Sequence, residues 1–241
     1  LQMLTDANNH LYQRVQQELE RQEEFNANVS HELRTPIAVM HAQCQVSREV
    51  AEKKQDKEAI KSIEVFERQT NRMKNLVDQL LQMTAIDRKG TTFSIEDIDV
   101  RDVIESACDD IAYIDTKHIT FEYSLQPTII QANMNLIYIV INNLLSNAVK
   151  YSNEGAKIYV SCGEKDGKSY IRIQDEGCGI EKENISKIFE SFYREKKDRN
   201  AEGFGLGLSQ AMKIAELYGG GIYVESTKNK GSIFTFFIPK P

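Results

Sequence analysis

The chain has 241 residues, 41% of them hydrophobic and 27% charged, with a formal net charge of −6. That is enough apolar material for two modest domains with their own cores. A mildly acidic, well-mixed surface gives no electrostatic reason to bind nucleic acid or an anionic membrane.

No apolar run reaches the roughly 20 residues needed to cross a bilayer, and no signal peptide is visible. Cys44, Cys108, Cys162 and Cys178 form no C-x-x-C pair, which speaks against a zinc site or a disulfide framework and fits a reducing compartment. The chain begins at Leu1 rather than Met and reads as a fragment.

Residues 1–87 contain no Gly and a single Pro, and Gln, Glu, Arg, Lys and Leu dominate them. They read as helix almost throughout. Leu4, Leu11, Val15 and Leu19 form an amphipathic stripe that predicts a short parallel coiled coil over 1–24. Val29, Leu33, Ile37, Met40, Cys44 and Ser47 continue an apolar face, and the charged stretch from Glu52 to Glu58 supplies a turn. A second helix follows, with Ile63, Thr70, Val77 and Thr84 on one heptad position and Phe66, Met73 and Leu80 on another. So broad a stripe cannot be covered within one hairpin. Two hairpins from two chains would cover it as a four-helix bundle, so a homodimer is expected.

Asp87-Arg88-Lys89-Gly90-Thr91-Thr92 is a polar, Gly-containing break and marks the domain boundary. Beyond it, 119–123, 158–162 and 170–173 alternate as strands do, the last two flanking the hairpin signal Asp166-Gly167. Residues 221–227 and 232–238 read as a further antiparallel pair. Helices are expected at about 100–113, 135–151 and 206–218. The fold class is therefore α+β: a helical hairpin, then a two-layer α/β sandwich with a mixed sheet. Residues 181–205, rich in Lys, Glu, Asn and Arg, lie between two Gly-bearing motifs and read as a mobile lid.

The most specific segment runs from Phe25 to Ile37 and includes Ser30-His31-Glu32-Leu33-Arg34-Thr35-Pro36. It places an imidazole, a carboxylate, a guanidinium and a hydroxyl along one strip of helix. Pro36 removes a backbone N–H, leaves the Glu32 carbonyl without its helical partner and favours a bend. Glu32 is suited to take the Nδ1 proton of His31, which leaves Nε2 as a free nucleophile. Thr35, one turn on, can align a water. The bland alternative is a surface His beside an ion-paired Glu and Arg.

Ser30 to Pro36 resembles the H-box of the sensor histidine kinases of two-component systems. In that family the His is autophosphorylated, the next acidic residue is its base, and the Thr supports phosphatase activity; the resemblance assigns these roles to His31, Glu32 and Thr35, with Arg34 beside them. Asn142 to Ser152 reads as a helix that places Asn143, Asn147, Lys150 and Tyr151 on one face. Amide oxygens can ligate Mg²⁺ and a Lys can meet phosphate charge; the bland reading is a solvated face. The segment is similar to the family's N-box, with Asn143 and Asn147 as the Mg²⁺ residues. Asp175-Glu176-Gly177-Cys178-Gly179 ends a predicted strand and resembles the G1 box, which makes Asp175 the reader of the adenine amine and Gly177 and Gly179 its close-approach glycines. Ile188 to Arg194 resembles the F-box, with Arg194 as the γ-phosphate contact. Gly203-Phe204-Gly205-Leu206-Gly207 opens the last helix, where backbone N–H groups make a natural phosphate site. It resembles the G2 box, although Phe204 stands where a small or hydroxyl residue is usual.

Two look-alikes fall away. Gly163 to Ser169 imitates a P-loop but is one residue short, and Gly203-x-Gly205-x-Gly207 lacks the third Gly of a dinucleotide fingerprint. His10, His41 and His118 have no ligand-like spacing.

The resemblance implies three parts: a coiled-coil signalling linker over 1–24, a dimerization and histidine phosphotransfer domain over 25–89, and a catalytic ATP-binding domain over 90–241. It implies ATP and Mg²⁺ as cofactors and an Asp of a response regulator as phosphoryl acceptor, with phosphatase activity toward the phosphorylated regulator. It implies no nucleic acid and no direct membrane contact for this fragment, which would be the cytoplasmic portion of a protein anchored in the bacterial plasma membrane. Two other readings compete: a chain acting mainly as phosphatase or nucleotide-gated scaffold, and an ATPase of the same fold that works as a clamp, as gyrase and Hsp90 relatives do.

Overall fold

Apolar residues at three- and four-residue spacing and the near absence of helix breakers make residues 33–87 largely helical. The computed structural model describes residues 33–87, 93–195 and 204–240. The coiled coil expected over 1–24, together with His31, Glu32 and Gly203, lies outside the described residues. Two compact units result, 1–91 and 92–241.

In the first unit, helix α1 (residues 33–53) and helix α2 (Lys57–Asp87) run antiparallel. Arg34 Nη2 meets Asp78 Oδ1 at 2.7 Å near one end, and Arg48 Nη1 meets Glu67 Oε2 at 2.7 Å near the other. The polar turn lies at Lys54–Gln55, with Gln55 in the left-handed region at φ +56°. Asp56 Oδ1 accepts the Ala59 N–H at 3.0 Å and caps α2. The two expected stripes of α2 face differently. Thr70 and Val77 are buried with Ile37 and Ala51, whereas Phe66 is 66% exposed and Met73 is exposed too. Leu33 and Met40 of α1 are likewise exposed. No helix among the described residues is long and apolar enough to cross a membrane.

The second unit is a mixed five-stranded sheet in the order β2-β4-β5-β7-β6. Its strands are β2 (Thr120–Leu125), β4 (Lys157–Lys165), β5 (Lys168–Asp175), β6 (Gly221–Thr227) and β7 (Gly231–Pro239). β2 and β4 are parallel and the remaining pairs antiparallel. The expected hairpin between β4 and β5 turns at Asp166 and Gly167, whose φ values of +52° and +72° suit a type I′ turn.

One face of the sheet carries Ile158, Val160, Cys162, Ile171, Ile173, Phe234 and Phe236, all buried. Three helices supply the other layer: α3 (Val100–Ile114), α4 (Met134–Tyr151) and α5 (Gly207–Leu217), with α4 packed between the other two. This is the two-layer arrangement expected.

A second, two-stranded antiparallel sheet pairs β1 (Glu96–Asp99) with β3 (Ile129–Ala132). Neither strand is legible in the sequence, because each has four residues and β1 is mostly acidic. Both lead directly into helices. Asp99 caps α3 through the Arg101 N–H, and Asn133 caps α4 through the Leu136 N–H.

Leu144 has no exposed surface and lies on the buried face of α4. Leu144→Ala is expected to destabilise the second unit by about 2–5 kcal/mol, read as a lower denaturant midpoint with unchanged slope.

Candidate functional site

The site is organised by the end of β5. Pairing with Ile158 on β4 and Ser232 on β7 carries the strand up to Asp175. Asp175 is only 5% exposed. Its Oδ1 accepts the Gly177 N–H at 2.8 Å and the Ser232 N–H at 3.2 Å. Burial pushes the carboxyl above its ordinary value, and those two hydrogen bonds pull the other way. Among the described residues nothing donates to Oδ2. A carboxylate held rigidly by one oxygen and open at the other is suited to accept from a ligand's amine.

The glycines around it are required by space. A Cβ on Gly177 would collide with the Tyr151 carbonyl, one on Gly179 with the Thr227 carbonyl, and one on Gly231 with the Asp175 carbonyl. Gly179 and Gly231 also have positive φ, +61° and +96°. Ser226 braces the loop from below: its Oγ accepts the Ile180 N–H at 2.7 Å and donates to the Gly231 carbonyl at 2.9 Å. Ser226 is not legible in the sequence, since a lone strand Ser carries no pattern.

Helix α4 spans the site. Its C-terminal residue, Tyr151, accepts the Cys178 N–H through its carbonyl at 3.3 Å. Asn143, two turns earlier, donates from Nδ2 to Gln210 Oε1 of α5 at 3.2 Å. Its Oδ1 lies 2.8 Å from where a Cβ on Gly207 would sit, closer than a Cβ contact tolerates. Asn143 and Tyr151 are eight residues apart on one helix, about 12 Å along its axis. That suits a base at the Asp175 end and a polyphosphate at the Gly207 end. Asn147, Lys150 and Tyr151 are half-buried on the same stretch, and the Lys150 ammonium lies 4.9 Å from the Tyr151 ring centroid. Gln210 is likewise not legible in the sequence. It orients Asn143 across two helices, which spacing along one helix cannot reveal.

At the far end, α5 begins at Gly207 with Leu206 as its N-cap, and among the described residues no side chain caps it. Its first N–H groups are thus left for another acceptor. Gly205 has φ +77°, and a Cβ there would press on the Tyr193 carbonyl at 2.6 Å. The Phe192 N–H donates to the Gly205 carbonyl at 2.9 Å, drawing Phe192, Tyr193 and the half-buried Arg194 against the start of α5. The region expected to form a lid contains two short 3-10 turns, Lys182–Asn184 and Lys187–Phe189. Residues 196–203 within it lie outside the described residues.

These features fit a nucleotide: a cradle that any Cβ would fill, an open carboxylate oxygen, an uncapped helix start and a nearby Lys. They also fit a magnesium ion held mainly by phosphates. Among the described residues no cluster of three His, Cys, Asp or Glu side chains offers a metal site, so Asn143 and Asn147 could supply amide oxygens while phosphates and water complete the shell.

The remaining sequence-predicted residues sit in the first unit. Arg34 is engaged by Asp78, and Thr35 and Pro36 are exposed on α1.

Comparisons with known proteins follow the same division. Residues 21–89 match the His Kinase A (phospho-acceptor) domain, and residues 132–241 match the histidine kinase-, DNA gyrase B-, and HSP90-like ATPase family. Sensor histidine kinase WalK of Bacillus subtilis is 35% identical over 95% of this chain and 39% of its own length. The catalytic domain of histidine kinase ThkA is 28% identical, with a TM-score of 0.55 over 61% of this chain and 97% of that one. Full-length ShkA in complex with AMPPNP, at 22% identity, shares the fold with a TM-score of 0.75 over 90% of this chain and 45% of that one. The chain spans about two fifths of the length of the curated relatives it matches. The chain belongs to the sensor histidine kinases, carrying their phospho-acceptor domain in its first unit and their ATPase domain in its second.

Proposed function

We propose that this chain binds ATP in the second unit, transfers its γ-phosphoryl group to His31 and then passes it to an Asp of a response regulator. The observation that carries the reading is the open oxygen of buried Asp175 at the C-terminal end of α4, with the uncapped α5 N-terminus beside Asn143, two turns back along the same helix.

In this reading Asp175 Oδ2 accepts from the adenine amine, while the missing side chains of Gly177 and Gly179 let the base approach. Gly203, Gly205, Leu206 and Gly207 present backbone N–H groups to the phosphates, with Lys150 and Arg194 adding positive charge. Asn143 and Asn147 hold a magnesium ion, which when bound offsets charge on the triphosphate. His31 Nε2 attacks the γ-phosphorus in line. The N–P bond forms as the bond to the ADP oxygen breaks, and Glu32 takes the Nδ1 proton. Thr35 aligns a water for the reverse, hydrolytic step on the phosphorylated regulator. Arg34 serves the same strip through its bond to Asp78, which sets the orientation of that part of α1.

The exposed stripe of Phe66 and Met73, with Leu33 and Met40, supports pairing of two hairpins into a dimeric four-helix bundle. The proposed parts are a signalling linker over 1–24, a dimerization and phosphotransfer domain over 25–89 and a catalytic domain over 90–241. The whole is read as the cytoplasmic portion of a membrane-anchored protein.

Three outcomes are expected. Labelled ATP should leave acid-labile label on the wild-type chain and none on His31→Gln; label surviving that change would sink the phosphosite. Asp175→Ala should weaken ATP binding by calorimetry at least about tenfold, matching the roughly 1.5–3 kcal/mol of a hydrogen bond to a charged group, with far-UV circular dichroism unchanged. Phe66→Glu should convert a dimer into monomer in light scattering at micromolar concentration, since roughly 1.5–3 kcal/mol of burial is lost per Phe. An unchanged dimer would place the interface elsewhere.

A further inference from the structure

We propose that Lys117 is a positioning residue of the nucleotide site, acting through the C-terminal turn of α4. This rests on the reading of that site as the ATP site.

An α-helix leaves its last four carbonyls without helical donors. In α4 these belong to Ala148, Val149, Lys150 and Tyr151. The Ala148 carbonyl accepts the Ser152 N–H at 3.1 Å. The carbonyls of Val149 and Lys150 accept from Lys117 Nζ, at 2.9 and 2.7 Å, and the same ammonium donates to the Ser152 carbonyl at 2.9 Å. The Tyr151 carbonyl is left facing the other way and accepts the Cys178 N–H. All three ammonium protons of Lys117 thus go to backbone, and a positive charge sits where the helix dipole is negative.

The consequence lies on the opposite side of the turn. The carbonyls flanking Tyr151 are held by one rigid cation, so the Tyr151 carbonyl has a set direction. That carbonyl occupies the space a Gly177 Cβ would take and anchors Cys178. Gly177 in turn donates to Asp175 Oδ1. Lys117 therefore acts on the base-reading carboxylate through the Tyr151 carbonyl and Gly177.

Its own loop is built to hold it. Asp115 Oδ1 accepts the Lys117 N–H at 2.9 Å and Oδ2 accepts the Ile119 N–H at 2.7 Å. The Lys117 carbonyl accepts the Gly155 N–H at 2.8 Å just beyond α4. Residues 115–119 thus clip onto the helix end through side chain and backbone together.

The test uses the full chain, with ADP as probe, and Lys117→Met, which keeps the stem and removes the donors. Two quantities are read: ADP affinity by calorimetry and the amide resonance of Cys178 by NMR. Lys117→Met is expected to lose on the order of tenfold in affinity, as supporting-shell changes do, and to shift the Cys178 amide upfield while remaining folded. Wild-type affinity in folded Lys117→Met overturns the proposal, whatever its melting temperature. If that variant does not fold, Lys117→Gln decides, because its shorter, neutral amide cannot hold three carbonyls; wild-type affinity there overturns the proposal as well. Failure of both variants to fold would assign Lys117 to stability alone and also overturn it. A wild-type chain that binds no ADP would instead sink the ATP-site reading.

Discussion

Backbone carbonyls shielded from water need donors, and at the end of α4 that requirement ties the helix to the loops on either side of it. The last turn of this helix lies between the loop after α3, which carries Lys117, and the loop after β5, which carries Cys178. Its carbonyls are divided between an ammonium on one side and a backbone N–H on the other. A helix end satisfied by water would tolerate small shifts. One satisfied by Lys117 and Cys178 cannot move without breaking a hydrogen bond in a partly buried place, where loss costs about 1–3 kcal/mol.

The Asp175 carboxylate shows the same logic with charge. Desolvation favours its neutral form, and the Gly177 and Ser232 N–H groups offset this at one oxygen. The two donors come from different strands and loops, so the carboxylate is fixed in direction before any ligand arrives. Glycine at 177, 179 and 231 follows from the same crowding, since backbone occupies the positions their side chains would need. Absence of atoms is here as specific a feature as the charge.

The helical hairpin is governed by a different balance. A two-helix unit can bury only one stripe of each helix, and α2 carries two. Thr70 and Val77 face inward with Ile37, while Phe66 and Met73 remain at the surface. Ion pairs Arg34–Asp78 and Arg48–Glu67 contribute little energy at such exposure. They mark the antiparallel pairing of α1 and α2, while the buried stripe of Ile37, Ala51, Thr70 and Val77 supplies the packing.

Much of this was legible in the residues. Heptad spacing and the missing glycines determined the helices of the first unit, alternation determined β4 to β7, and Asp166-Gly167 determined the hairpin turn, because each depends on local backbone preference. The motifs put Asp175, Asn143, Asn147 and the glycines together as one candidate set. The strands β1 and β3 were not, since four mostly polar or exposed residues pair only because α3 and α4 bring their leading ends together. Tertiary structure alone decided that α2's two stripes part company, that Gln210 orients Asn143 and that Lys117 closes α4. The last two relations join residues 67 positions apart and 32 to 35 positions apart in sequence. No periodicity reports contacts at such separation; only the packing that brings a donor to an unpaired carbonyl does.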